Sequence, residues 1–64
     1  MQLSFRTQPL TREDVLTVAE VADLVRLPRS TVYELARRGS IPAHRIGRAW
    51  RLIRQEIEEW LLAS

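Results

Sequence analysis

Apolar residues recur at helical spacing across the middle of the chain. Val18, Val21, Ala22 and Val25 form one stripe. Thr17, with Glu20 three residues later, is a capping box, and Leu16 and Val21 occupy the staple positions around it. The pattern predicts a helix over Val18–Val25. Valine is a mediocre helix former, so this stripe must be buried against a neighbour. Pro28 disfavours helical geometry at Leu27 and permits a new helix just beyond it. The second stripe is Val32, Leu35 and Ala36, ended by Gly39 in the left-handed position, with Pro42 closing the exit. It predicts a second helix over about Arg29–Arg38. Two short helices joined by a tight turn make a helix-turn-helix unit.

From Ile41 to Ile53 the pattern changes to that of a hairpin around Gly47. A two-residue loop, Gly47-Arg48, suits a Gly-first turn. It sets Ile46 opposite Ala49 and Arg45 opposite Trp50, mixing polar and apolar residues on each face. A three-residue loop, Gly47-Arg48-Ala49, sorts them better: Ile46 faces Trp50, His44 faces Leu52, and Arg45 faces Arg51 on the other side. The second register is the expected one. Its apolar face would dock on the helices, leaving Arg45 and Arg51 outward and Arg48 at the tip. A lone hairpin is marginal in water and must lean on something. Ile57, Trp60 and Leu61 then mark a closing helix over roughly Arg54–Ala63. Its acids, Glu56, Glu58 and Glu59, lie toward the N-terminal half, where the helix dipole favours them.

The expected fold is mainly α with a small β-hairpin, a winged helix-turn-helix. Residues 16–63 form the domain. Residues 1–15 form an N-terminal arm in which Pro9 breaks any regular element, and Leu3, Phe5 and Leu10 either line the core edge or belong to a loose segment.

A chain of 64 residues without cysteine is held by packing alone, near the lower size limit for a self-supporting core. No apolar run approaches a membrane span, and no signal-peptide stretch opens the chain, so a cytoplasmic setting is expected. The net charge is only +2, but all ten basic residues are arginine. Eight of them fall between Arg26 and Arg54, where Glu34 is the one acid. A basic stripe of this kind suits a phosphate-binding surface; the plainer alternative is a solvated face.

With Val32 at the centre of the buried side of the second helix, Ser30, Glu34, Arg37 and Arg38 point outward, flanked by Arg29, Thr31 and Tyr33. Short Ser30 and Thr31 allow close approach, and the first-turn amides can hold phosphate. Arg29 and Arg37 can reach phosphates or guanine edges. Glu34 either accepts from a cytosine amine or pairs with Arg38 four residues on, the latter being favoured. Tyr33 is either a phosphate donor or a half-buried core aromatic. Arg45, Arg48 and Arg51 suit a wing lying along a backbone or entering a narrow minor groove. Trp50 and Trp60 sit on apolar faces and are read as structural anchors in preference to base-stacking platforms. His44, with no cysteine and no second histidine, is read as a wing or core-edge residue or a weak phosphate contact, not a metal ligand.

No glycine-rich phosphate loop or nucleophile–base arrangement can be assembled, and a chain this short has little room for a closed pocket. Catalysis and cofactors are therefore not expected. A protein-interaction module using the basic face against an acidic partner is the remaining alternative.

These segments resemble the excisionase-like, MerR-related winged helix domains. The stretch from Leu16 to Val25 is similar to their first helix, and that from Pro28 to Gly39 to their second. Ile41 to Arg48 with Trp50-Arg51-Leu52 resembles their wing, and Ile57-Glu58-Glu59-Trp60-Leu61 their closing helix. The resemblance spans about residues 15 to 62. It implies binding to double-stranded DNA with the second helix in the major groove. Arg29, Ser30, Thr31 and Tyr33 would lie near the DNA, followed by Arg37 and Arg38, and by Arg45, Arg48 and Arg51 from the wing. The family usually has serine or a similar cap where this chain has Pro28, which lacks a side-chain acceptor and allows the helix start to shift by a residue. The long dimerisation helix of full MerR regulators and any effector domain are also missing from the match. Two roles suit such a minimal domain: transcriptional regulation, or excisionase-type assistance to a recombinase by bending DNA. Partners beyond DNA would be neighbouring copies, a recombinase or a regulatory protein. With no heptad pattern, a monomer is expected in free solution.

Overall fold

The computed structural model describes residues 9–64. Its elements follow the order a capped 3-10 turn at Arg12–Asp14, strand β1 (Val15–Leu16), helix α1 (Val18–Val25), helix α2 (Arg29–Arg37), strand β2 (His44–Ile46), strand β3 (Ala49–Ile53) and helix α3 (Arg54–Ala63). The three helices and the hairpin are those the periodicity predicts, with α2 one residue shorter because Arg38 serves as its C-cap.

Helix α1 starts where its side chains say it should. The Glu20 amide donates to Thr17 Oγ1 at 3.1 Å, and the Thr17 amide donates to Glu20 Oε1 at 2.9 Å. Two amides that a helix start leaves without intrahelical acceptors are thereby satisfied. At the other end Arg26 takes the left-handed conformation, φ 61° and ψ 44°, and the Leu27 amide donates to the Ala22 carbonyl at 3.0 Å. That sharp reversal turns the chain into α2. Pro28 caps α2 through its carbonyl alone, which accepts from the Thr31 and Val32 amides at 3.1 and 3.2 Å. The helix nonetheless starts at Arg29, so the absence of a side-chain cap does not displace it. Gly39, φ 71°, ends the second turn as expected, and the Ser40 amide donates to the Leu35 carbonyl at 2.8 Å.

The core gathers one face from every element. Leu16, Val18, Val21, Ala22, Val32, Ala36, Ile41, Leu52 and Ile57 are buried, with Val25, Leu35, Ala43, Trp50 and Trp60 packed around them. Leu16 and Val21 are both in this set, as the staple requires. Val21, Val32, Leu52 and Ile57 are completely buried, one each from α1, α2, β3 and α3. Each therefore locks a different element to the centre.

Two features of the sheet depart from the sequence reading. First, the sheet has three strands in the order β1-β3-β2. Val15 pairs with Ile53 and Leu16 with Leu52, all antiparallel, in a stretch to which periodicity gave no element. Just ahead of it, the Thr11 amide donates to Asp14 Oδ2 at 2.8 Å, closing the 3-10 turn. Leu10 is exposed; Leu3 and Phe5 lie outside the described residues.

Second, the hairpin adopts the two-residue loop. His44 pairs with Arg51, Arg45 with Trp50 and Ile46 with Ala49. The three-residue register is thus overturned. Its physical cost falls on Ala49, which a three-residue hairpin places in the left-handed region, where a β-carbon is unwelcome. The two-residue turn instead puts the positive φ on Gly47, at 61°, and leaves Arg48 with negative φ, the Gly-first arrangement whose twist matches the strands. Arg45, Trp50 and Leu52 consequently share the face turned toward the helices. His44, Ile46, Arg51 and Ile53 share the other face. Ile46 is 63% exposed there, not buried against Trp50.

Candidate nucleic-acid interface

The first turn of α2 carries the residues expected to meet phosphates. Arg29 and Ser30 are exposed and Thr31 is half-buried, while Val32 one position on is fully buried. The buried valine fixes the rotation of the helix, and the rotation fixes which side chains face out. Because Pro28 contributes no side-chain acceptor and its carbonyl takes the Thr31 and Val32 amides, the Arg29 and Ser30 amides of α2 remain available to an anion. Tyr33 is 42% exposed, enough to leave its ring edge and hydroxyl accessible.

On the last turn of α2, Glu34 pairs with Arg37, three residues on, and not with Arg38. Both partners are more than half exposed, so the pair contributes little stability. Its effect is on the charge pattern. Arg37 is partly neutralised, whereas Arg38 keeps its full charge.

The wing arginines do not share a face. Arg45 lies on the helix-side face, its guanidinium carbon 5.3 Å from the centre of the Trp50 ring, with Nε donating to the Gly47 carbonyl at 3.3 Å. Arg48 sits at the tip, exposed. Arg51 lies on the opposite face, partly buried, and its Nη1 donates to the Trp50 carbonyl at 2.7 Å. The expectation that Arg45 and Arg51 point the same way is corrected by the register: they are on neighbouring strands one position out of phase. Arg45 and Arg51 nevertheless both border one groove of about 610 Å³, with apolar walls from Leu10, Val15, Ile46 and Ile53.

His44 stands at the base of the wing. Its Nε2 is 2.9 Å from Glu56 Oε1 on the first turn of α3. This contact ties the hairpin to the closing helix, a role that separation by twelve positions hid from the sequence. Trp60 is an anchor, as read from its stripe: its indole Nε1 donates to the Ser40 carbonyl at 3.0 Å. Trp50 packs on the core edge.

One cation was missed by reading for outward faces. Arg26, in the turn between α1 and α2, is exposed and adopts positive φ. The signal available was its place in the tight connection, where glycine is the usual occupant. Among the described residues, no acidic side chain pairs with Arg26, Arg29, Arg38 or Arg48. No group of three or more histidine, cysteine or carboxylate side chains that could hold a metal ion occurs among them either. Among the described residues no helix is long and apolar enough to cross a membrane.

Comparison with known proteins places this geometry. Residues 15–64 match the family model described as a helix-turn-helix domain. A candidate DNA-binding protein of Mycobacterium tuberculosis, from strains CDC 1551 and H37Rv, is 42% identical over 53 residues, which span 83% of this chain and 68% of that protein. YvgK of Bacillus subtilis, an uncharacterized protein, is 36% identical over 44 residues, covering 69% of this chain and 14% of its own length. No solved structure matches the chain.

Proposed function

The chain belongs to the helix-turn-helix domain family, and on that premise we propose that it binds double-stranded DNA in a sequence-specific manner as a small transcriptional regulator. The reading is binding without catalysis. Helix α2 enters the major groove by its first turns, and the hairpin lies beside it as a wing against the backbone. Arg29, Ser30, Thr31 and the free amides of α2 take phosphates, and Arg29 and Arg37 are placed for base edges. Tyr33 and Arg38 follow along the helix; Arg45 and Arg48 serve from the wing. Arg51, on the outer face, contributes through the field of the wing more than by direct contact. Arg26 joins the set as a phosphate ligand at the start of α2.

The observation that carries this reading is the charge pattern on the folded surface. Between residues 26 and 54 the one acid is spent on Arg37, and six exposed arginines (Arg26, Arg29, Arg38, Arg45, Arg48 and Arg54) have no carboxylate partner among the described residues. Such a surface repels itself unless a polyanion faces it. The M. tuberculosis relative, named as a candidate DNA-binding protein, supports the same polyanion.

Footprinting on genomic fragments tests the proposal. A discrete protected segment, displaced by competitor DNA only when the competitor carries that segment, is the expected result. Uniform coverage with no preferred segment would leave only non-specific binding and overturn the sequence-specific part. The domain proposed for this binding extends back from residue 16 to the capped turn at Thr11–Asp14, because Val15 pairs with Ile53 and Arg54 Nε donates to the Glu13 carbonyl at 3.2 Å.

A further inference from the structure

We propose that Trp50 is a positioning residue for Arg45: its ring face holds the guanidinium in place on the helix side of the wing, ready for a phosphate of the bound duplex. The inference rests on the DNA-binding reading above and concerns how one contact of that site is built.

Three observations converge on it. The two residues are direct cross-strand partners, so their side chains leave the same face of the hairpin side by side. The guanidinium lies over the indole at 5.3 Å, within the range at which the ring quadrupole attracts a cation. Its Nε donates to the Gly47 carbonyl, which consumes the donor nearest the stem. The terminal amino groups, which are those that grip a phosphate, have no protein partner among the described residues.

The platform itself is fixed. Trp50 packs against the buried cluster, so the ring cannot follow a wandering cation. A long arginine side chain loses much rotamer freedom when it is immobilised on a ligand. Here that freedom is restricted before DNA arrives. The other wing arginines lack the arrangement. Among the described residues Arg48 at the tip has no aromatic ring contact, and Arg51 is bound to a carbonyl on the far face. The plainer account of the same contact is that Arg45 merely shields the exposed side of Trp50 from water. The two accounts differ in what happens to binding when the ring is changed and the charge is kept.

The experiment measures retention of a short mixed-sequence duplex DNA together with thermal melting, for the parent and for Arg45→Ala, Trp50→Tyr, Trp50→Leu, Trp50→Met and the double variant Arg45→Ala/Trp50→Leu. Trp50→Tyr, which retains an aromatic face, should bind like the parent. Trp50→Leu should bind about two- to five-fold more weakly, the factor carried by a cation–ring contact at an exposed site. Arg45→Ala should then cost less in the Trp50→Leu background than in the parent, because the guanidinium is no longer held. Independent, additive losses, or a Trp50→Tyr variant as weak as Trp50→Leu, overturn the inference. If Trp50→Leu does not fold, Trp50→Met carries the test, since it keeps a long apolar side chain on the core edge and the Arg45 charge but removes the aromatic face. Weaker binding by a similar factor at unchanged melting supports the proposal, and parental binding overturns it. A parent that retains no duplex at low salt overturns the DNA reading and this inference with it.

Discussion

Trp60 on the closing helix donates its indole Nε1–H to the carbonyl of Ser40, in the loop that follows α2, at 3.0 Å. A single side chain thus ties the last helix to the exit of α2. Its ring also packs on the buried cluster. Trp60→Ala is expected to destabilise the domain by about 3 kcal/mol, the lower end for loss of a core aromatic because Trp60 is only partly buried. Trp60→Phe keeps most of the packing and should cost about 1 kcal/mol through the lost hydrogen bond. Chemical denaturation of the two variants checks the order; equal stability of Trp60→Ala and the parent contradicts it.

The helices were legible because their punctuation is chemical. Thr17 with Glu20 marks a start by a capping box, Pro28 by the amide it lacks, and Gly39 an end by the left-handed conformation it accepts. Burial of Val21 and Val32 followed from spacing alone. In the hairpin, alternation of polar and apolar residues favours the three-residue register, but turn chemistry favours the two-residue register that the chain adopts. Gly47 at the first loop position already favours the two-residue turn, and Arg45 is compatible with an apolar face once Trp50 lies beneath it. Strand β1 was invisible, since two residues cannot show an alternating pattern and its partner, β3, is 36 or more positions away. For the same reason the contact of His44 with Glu56 could not be read. Which side chains face outward on α2 needed only the helix rotation; on the hairpin it needed the register.

Arg26 holds a left-handed backbone conformation at φ 61°, which costs a residue with a β-carbon about 1 kcal/mol. Arg26→Gly relieves it. The melting temperature should rise by roughly 4–8 °C, the shift that about 1 kcal/mol produces in a domain of this size. Calorimetry decides the sign. If Arg26 is also a phosphate ligand, DNA affinity falls in the same variant.

Gly47 presents the reverse case. A β-carbon there meets no atom within 4 Å, yet φ is +61°. Gly47→Ala should therefore lose about 1 kcal/mol from backbone strain alone, with no steric clash to add to it. A loss several times larger in denaturant titration would show that the turn is crowded after all.

Arg48 at the wing tip is exposed and has no side-chain partner among the described residues. Arg48→Ala should leave melting within about 0.5 kcal/mol of the parent, as for other surface substitutions, while weakening DNA retention. Unchanged retention would remove the tip from the interface.

In free solution the domain is expected to be a monomer, since no heptad pattern offers a pairing helix. Sedimentation at micromolar concentration tests this; a tight dimer contradicts it.

Dependence of duplex binding on salt tests the central claim most directly. If the folded surface meets about five phosphates, the logarithm of the affinity should fall against the logarithm of the salt concentration with a slope of about −4 to −5. Removing one phosphate-contacting arginine should make that slope shallower by about 0.9. Binding that is insensitive to salt, in a protein shown to remain folded throughout, would contradict the account of its arginine surface as a phosphate-binding face.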